Sequence, residues 1–253
     1  MQTAGAEKLL ELKIDSKAYG TSPGASVEVL RDIALHLTVG SFVSLFGPSG
    51  CGKTSILRIA AGLDRDFRGE RWIAPSARLG MVFQEPRLLA WRTVEDNIRI
   101  AMEAAAATGD IGEWLERFDL GPQRRQYAGE LSLGQARRVA LVRALSIAPN
   151  LLLLDEPLVS LDDSIAARLR GELRAVAESG KVGIVLVTHD LDEAVELSDR
   201  LLFLGERSAR VILEREVSVP RSQRDRRTVS ALAEELAALV SQSNWREAQC
   251  NSR

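Results

Sequence analysis

Leu10, Leu12 and Ile14 alternate with Glu11 and Lys13, and Leu35, Leu37 and Val39 alternate with His36 and Thr38. A side-chain period of two predicts two strands, each with one face in the core and one in water. Gly20-Thr21-Ser22-Pro23-Gly24 supplies turn chemistry between them, so the chain is expected to open with a small antiparallel β-layer. Further along the pattern changes. Ser41 to Phe46, Val82-Phe83, Leu151 to Leu154, Ile184 to Val187 and Leu201 to Leu204 are short apolar runs without alternation. Such runs suit strands covered on both faces, and helical patterns separate them, as a parallel α/β sheet requires. Ile165, Leu169, Leu173 and Val176 mark one face of a helix that stops at Gly180.

Two segments lie outside that alternation. From Arg87 to about Leu120, the alanine run Ala104 to Ala107 and Trp114-Leu115 beyond it suggest an all-helical insertion. The tail from Val219 carries Arg221, Arg224, Arg226 and Arg227, then Leu232, Leu236, Leu239 and Val240 at helical spacing. No aromatic residues interleave with those arginines, so they read as a solvated linker before a terminal helix and not as a nucleic-acid patch. The expected organisation is one α/β domain over residues 8–240, with a helical subdomain at about 85–145 and flexible ends at 1–7 and 241–253.

Composition narrows the class. The 253 residues carry a net charge of only −2, so no global basic field points to nucleic acid. Cys51 and Cys250 are the two cysteines, too few for a disulfide framework, and a reducing compartment fits better. The N-terminal stretch Met1 to Glu7 lacks the basic start and apolar segment of a signal peptide. No apolar run approaches the roughly 20 residues of a spanning helix, so a soluble protein is expected.

Chemistry concentrates at strand ends. Gly47-Pro48-Ser49-Gly50-Cys51-Gly52-Lys53-Thr54 fills every required position of the phosphate-binding pattern G-x-x-x-x-G-K-[ST]. It follows the apolar run Ser41 to Phe46 and precedes the helix-like stretch that begins at Ser55, which is expected to join the loop in binding the nucleotide. Strand, glycine turn and helix start in that order make a site of the motif: backbone N–H groups and the helix N-terminus cradle a phosphate. Lys53 would reach the β- and γ-phosphates and the Thr54 hydroxyl would hold Mg²⁺, so the chain is expected to bind a nucleoside triphosphate. Cys51 fills a free position of the loop, with nothing nearby in sequence to activate a thiolate.

Leu151 to Leu154 end on the adjacent carboxylates Asp155 and Glu156. Side chains alternate along a strand, so these two should point differently and divide the work: one to the Mg²⁺ shell, the other to an attacking water. Ser132, with Gln135 three residues on, forms a capping box that opens the helical stretch Ala136 to Leu145.

Together these pieces resemble the nucleotide-binding subunit of ABC transporters over roughly residues 8 to 215. Leu131-Ser132-Leu133-Gly134-Gln135 looks like the family signature LSGGQ, with Leu133 where the family has glycine. Gln84 resembles the Q-loop glutamine, Asp155-Glu156 the Walker B pair, and Leu158-Val159-Ser160-Leu161-Asp162 the D-loop. Thr188-His189-Asp190 is similar to the switch-histidine segment, and Tyr19 to the aromatic that stacks on adenine. The resemblance implies a P-loop NTPase fold and an ATPase that uses ATP and Mg²⁺. It further implies two subunits, as a homodimer, that sandwich ATP between one phosphate loop and the other subunit's Ser132, Gly134 and Gln135. Glu156 would then be the general base, His189 would hold the γ-phosphate and Glu156 in register, and Asp162 would reach across the dimer. Gln84 would bridge Mg²⁺, water and a membrane subunit. Lys53 would act on the phosphates, and Thr54, Gln84 and Asp155 would surround the metal.

Phe83 to Ile98 resembles the nitrate/sulfonate/taurine importer group, whose pattern Gln-Asp-Pro-Arg-Leu-Leu-Pro-Trp stands here as Gln84-Glu85-Pro86-Arg87-Leu88-Leu89-Ala90-Trp91. Implied partners are transmembrane permease subunits and, indirectly, a solute-binding protein, with the chain peripheral on the cytoplasmic face of the cell membrane. Leu88, Leu89 and Trp91 would form either an apolar edge for a permease's coupling helix or core of the subdomain. A soluble ABC ATPase acting on nucleic acid or ribosomes, and an ABC exporter subunit, are the rival readings.

Overall fold

The computed structural model describes residues 7–22, 25–159, 161–205 and 208–250. Pro23 and Gly24 of the expected first turn, and Ser160 of the D-loop-like segment, lie outside the described residues. β1 (Lys8–Ser22) and β2 (Ala25–Thr38) pair antiparallel with Leu12 opposite Leu35 and Ile14 opposite Ile33. The period of two is realised: Leu10, Leu12, Ile14, Leu35 and Leu37 are buried, while Glu11, Lys13 and His36 face out. A third strand, β4 (Arg68–Ile73), which lacks a sequence signal of its own, completes a sheet of order β2-β1-β4.

The main sheet holds β3 (Phe42–Phe46), β5 (Leu79–Val82), β6 (Leu151–Asp155), β7 (Gly183–Thr188), β8 (Arg200–Leu204) and β9 (Val211–Glu216), in the order β5-β6-β7-β3-β8-β9. All neighbours run parallel except β9, an antiparallel edge strand. Because successive side chains leave a strand on opposite faces, each central strand serves two cores. Leu151, Leu153, Val185 and Val187 pack with Ile56, Leu57 and Ile59 of α1 (Lys53–Ala60) and with the inner face of the first sheet. Leu152, Leu154, Ile184 and Leu186 pack on the other side. There they meet the helices α2 (Val94–Ala104), α3 (Ile111–Arg117), α4 (Leu133–Ser146) and α5 (Asp163–Glu178). Each such leucine stabilises the fold by roughly 1.5–3 kcal/mol relative to exposure. A third cluster joins β8, α6 (Leu191–Leu197) and α7 (Arg226–Cys250), through Leu201, Phe203, Val195 and Val229.

The structure corrects two expectations. The alanine run ends a helix and does not extend one: Ala106 takes φ +49°, and Ala107 N–H reaches back to Met102 O at 2.8 Å. That is a Schellman closure, which overrides alanine's helix propensity where Thr108-Gly109-Asp110 turns the chain towards α3. The arginines of the tail are not all solvated. Arg224 is 4% exposed and donates to the carbonyls of Val195 at 2.8 Å, Ser198 at 2.6 Å and Val219 at 2.8 Å. Burial pulls its pKa down to about 10, and the guanidinium pins the approach to α7 against the end of α6. The terminal helix α7 itself runs on to Cys250.

The loops after β3, β5, β6 and β7 all leave the carboxyl edge of the parallel sheet, where crevices for ligands form in such folds. Gly47 to Thr54, Gln84, Asp155-Glu156 and His189 are therefore brought together by topology alone.

Candidate active site

The phosphate loop links β3 to α1. Gly52 caps α1 at φ 115° with no side-chain bond to the helix N-terminus, so the first N–H groups of the helix are left for a ligand. A Cβ at Gly52 would stand 2.6 Å from Leu30 Cδ2, so this glycine also lets the loop lie against β2. Gly50 adopts φ +79° with open space where a Cβ would be, leaving the concave side clear. Pro48, Ser49 and Gly50 are exposed, whereas Lys53 is 4% exposed. Its ammonium donates to Gly47 O at 2.7 Å and Pro48 O at 2.8 Å, which closes the loop around the lysine. Cys51 is buried and its thiol is pushed up by that burial, so it is a loop-filling side chain and no nucleophile.

Thr54 Oγ1 donates to Asp155 Oδ1 at 3.1 Å across 101 residues of sequence. Asp155, 2% exposed, ends β6; burial raises its pKa and the Thr54 bond opposes that shift. A hydroxyl and a buried carboxylate side by side at the loop's end are hard oxygen donors that suit Mg²⁺ beside phosphates. The next residue points elsewhere. Glu156 takes φ +48°, held by its N–H to Val187 O at 2.9 Å. Its Oε1 lies 3.3 Å from His189 Nδ1 and 3.9 Å from Lys53 Nζ. One carboxylate thus faces the metal position, and the other faces the lysine and histidine that would flank a terminal phosphate.

Val82 of β5 pairs with Leu154 of β6, so Gln84 and Glu156, each two residues on, leave adjacent strands at the same level. Gln84 is exposed there. Tyr19, near the end of β1, reaches Ser55 Oγ of α1 at 3.1 Å through its hydroxyl and remains 39% exposed. It stands beside the phosphate loop, where a base attached to bound phosphates can be met.

The capping box at α4 is formed as expected: Ser132 N–H donates to Gln135 Oε1 at 2.9 Å and Gln135 N–H to Ser132 Oγ at 3.3 Å. The helix begins at Leu133, earlier than the stretch expected from Ala136, because Ser132 is the cap. Leu133 is 53% exposed. This helix packs on the sheet face opposite to α1, so the structure does not bring Ser132, Gly134 and Gln135 into the same crevice as the phosphate loop. Asp162 caps α5, its Oδ1 accepting from Ile165 N–H at 3.0 Å and Ser164 Oγ at 2.8 Å, and these bonds hold its carboxyl below its ordinary pKa. Inside the protomer, its work is local.

Sequence reasoning missed two supports of the site. Arg143 on α4 donates to Arg87 O at 2.8 Å and Pro86 O at 2.9 Å, which ties the signature helix to the segment after Gln84. A lone arginine within the apolar stretch Val139 to Leu145 is the signal that would have found it. Behind His189, Thr188 Oγ1 donates to Glu193 Oε2 at 2.5 Å and accepts from Asp190 N–H at 3.0 Å. Burial raises Glu193 to about 7, against the Thr188 bond. Asp190 three residues before Glu193 is itself a helix-start pattern, and Asp190 Oδ1 accepts from Glu193 N–H at 3.0 Å.

A family model described as ABC transporter matches residues 30–159. The "Aliphatic sulfonates import ATP-binding protein SsuB 2" of Burkholderia cenocepacia is 43% identical over 246 residues, covering 94% of this chain and 88% of that protein. The corresponding SsuB 1 of Pseudomonas savastanoi pv. phaseolicola is 41% identical over 221 residues, 87% of this chain and 91% of its own. Among solved structures, a dimeric post-hydrolysis ATP-binding cassette bound to ADP and Pi superposes with TM-score 0.74 at 26% identity, over 84% of this chain and 100% of that one. Phosphate loop, paired carboxylates, histidine and these relatives agree: the chain belongs to the ABC transporter family, as an ATP-binding subunit that hydrolyses ATP.

Proposed function

We propose that this chain powers import of a sulfonate-type solute through a membrane permease, by closing in pairs around two ATP molecules. The observation that carries the paired mechanism is the split site: the phosphate loop and α1 lie on one face of the sheet and the signature helix on the other. A second copy supplies Ser132, Gly134 and Gln135 to a phosphate already cradled by Gly47 to Thr54, and Asp162 lies at the edge of that junction. Import and the sulfonate class are supported by what the relatives' names say of those proteins.

Thr54, Asp155 and Gln84 would hold Mg²⁺, which would neutralise phosphate charge during transfer. Lys53 exchanges its loop carbonyls for phosphate oxygens. Glu156 takes the proton of the attacking water at Oε1, while His189 fixes that carboxylate and faces the terminal phosphate. Gln84 and the exposed Trp91 (71% exposed) mark the side that meets the permease. Among the described residues no helix is long and apolar enough to cross a membrane. The relatives' names as import ATP-binding proteins support a peripheral subunit on the cytoplasmic face, served by a solute-binding protein on the far side.

The test is reconstitution with permease subunits of a sulfonate importer and their solute-binding protein. Hydrolysis that rises with protein concentration, and is stimulated by binding protein loaded with an alkanesulfonate, is the expected result. Full-rate hydrolysis by a strictly monomeric sample would overturn the paired mechanism, and stimulation confined to another solute class would overturn the sulfonate assignment.

A further inference from the structure

Lys17 is a buried cation outside the phosphate site, with its side chain 2% exposed. Its ammonium donates to Asp64 Oδ1 at 3.0 Å, to the carbonyl of Asp66 and to Asp66 Oδ2 at 3.3 Å. It also lies 4.5 Å from the centroid of the Tyr19 ring. Asp64 meets the same tyrosine from another side: its Oδ2 accepts the Tyr19 hydroxyl at 3.1 Å, and its Oδ1 accepts Asp66 N–H at 3.1 Å. Ser55 Oγ, 3.1 Å from that hydroxyl, ties the group to the first turn of α1.

A buried ammonium costs solvation, and the chain would not keep one without return. Here burial works against the charged lysine, yet bonds to Asp64 and Asp66 outweigh it and keep its pKa above the ordinary value. The return is geometric. An ammonium over one face of an aromatic ring occupies that face and draws on its quadrupole. The bond at the hydroxyl stops the ring from swinging. What is left is a ring still 39% exposed, held beside the first turn of α1.

We propose that Lys17 and Asp64 are positioning residues that set Tyr19 as a one-sided platform for the nucleotide base, in register with the phosphate cradle through Ser55. The proposal rests on the reading of Tyr19 as the base-stacking residue. Lys17 covers the rear of the ring, Asp64 and Ser55 fix its tilt, and α1 carries both Ser55 and the phosphate-binding Lys53 and Thr54. Base and triphosphate are therefore gripped from one frame.

The experiment compares two probes on the full chain by calorimetric titration with Mg²⁺: ATP, and inorganic tripolyphosphate, which has no base. Tyr19→Ala should weaken ATP by about 10-fold, the worth of one stacked base. Tyr19→Phe, which keeps the ring and loses the anchor, and Lys17→Met should each weaken ATP by about 3-fold. None of these should move tripolyphosphate affinity, and kcat at saturating ATP should fall less than KM rises. A merely structural role would weaken both probes together. If Tyr19→Ala leaves ATP affinity intact, the stacking reading fails; if it weakens ATP while Tyr19→Phe and Lys17→Met do not, only the positioning proposal fails. Should Lys17→Met not fold, Tyr19→Phe and Asp64→Asn carry the comparison.

Discussion

His189 Nδ1 stands 3.3 Å from Glu156 Oε1, although the two residues come from the ends of different strands, β7 and β6. Neighbouring parallel strands put them there, and the backbone of Glu156 is clipped to the same strand by its bond to Val187 O at 2.9 Å. Both residues are thus anchored at the carboxyl ends of adjacent strands.

Replacing that carboxylate separates binding from chemistry. Glu156→Gln keeps size and backbone but cannot take a proton. Hydrolysis should fall by roughly 10²–10⁴-fold while ATP binding and pairing persist. Phosphate release and light scattering in ATP read the two halves; normal phosphate release would remove Glu156 from the general-base role.

Lys53→Ala acts earlier. It removes the cation that Gly47 and Pro48 carbonyls now hold at 2.7 and 2.8 Å, and with it a charged hydrogen bond to phosphate. Affinity for labelled ATP should drop by about 10-fold or more, as one charge-assisted bond predicts.

Leu133 presents an apolar side chain, 53% exposed, at the first turn of the signature helix. In the proposed closed pair it would stand where a backbone should approach phosphate. Leu133→Gly should therefore keep or raise ATP turnover, and a large loss in a steady-state assay would show that the leucine contributes to closure.

Glu193 links pH to stability. Its folded pKa of about 7 lies above the ordinary 4.5, because burial outweighs the bond from Thr188, with Asp190 adding to the rise and Arg170 opposing it. The folded state thus holds this proton more tightly than the unfolded one. The stabilisation is complete below the ordinary value and is lost as pH rises through the folded value. Between about pH 5 and about pH 8, wild type should lose melting temperature relative to Glu193→Gln, which cannot titrate. Parallel curves by scanning calorimetry would refute this.

Much of this was legible before any coordinates. Leu10-Leu12-Ile14 and Leu151 to Leu154 announced their burial because strand geometry converts sequence parity directly into inside and outside. Phosphate loop and carboxylate pair were readable because their chemistry needs fixed spacing along one short segment. What escaped had its cause at long range. Strand β4 has burial too partial for a clear period, and its identity comes from pairing with β1. Arg224 resembled a solvated residue because local composition does not show three carbonyls gathered from Val195, Ser198 and Val219. The partners of Lys17 escape the sequence for the same reason, being a carbonyl and carboxylates on another segment, whereas Arg143 is marked only by standing alone in an apolar stretch.

The left-handed backbone at Glu156 carries a last implication. A side chain at φ +48° pays about 1–3 kcal/mol that glycine would not. On the proposed role of Glu156 as general base, glycine there would relieve the strain and remove the proton acceptor in the same step.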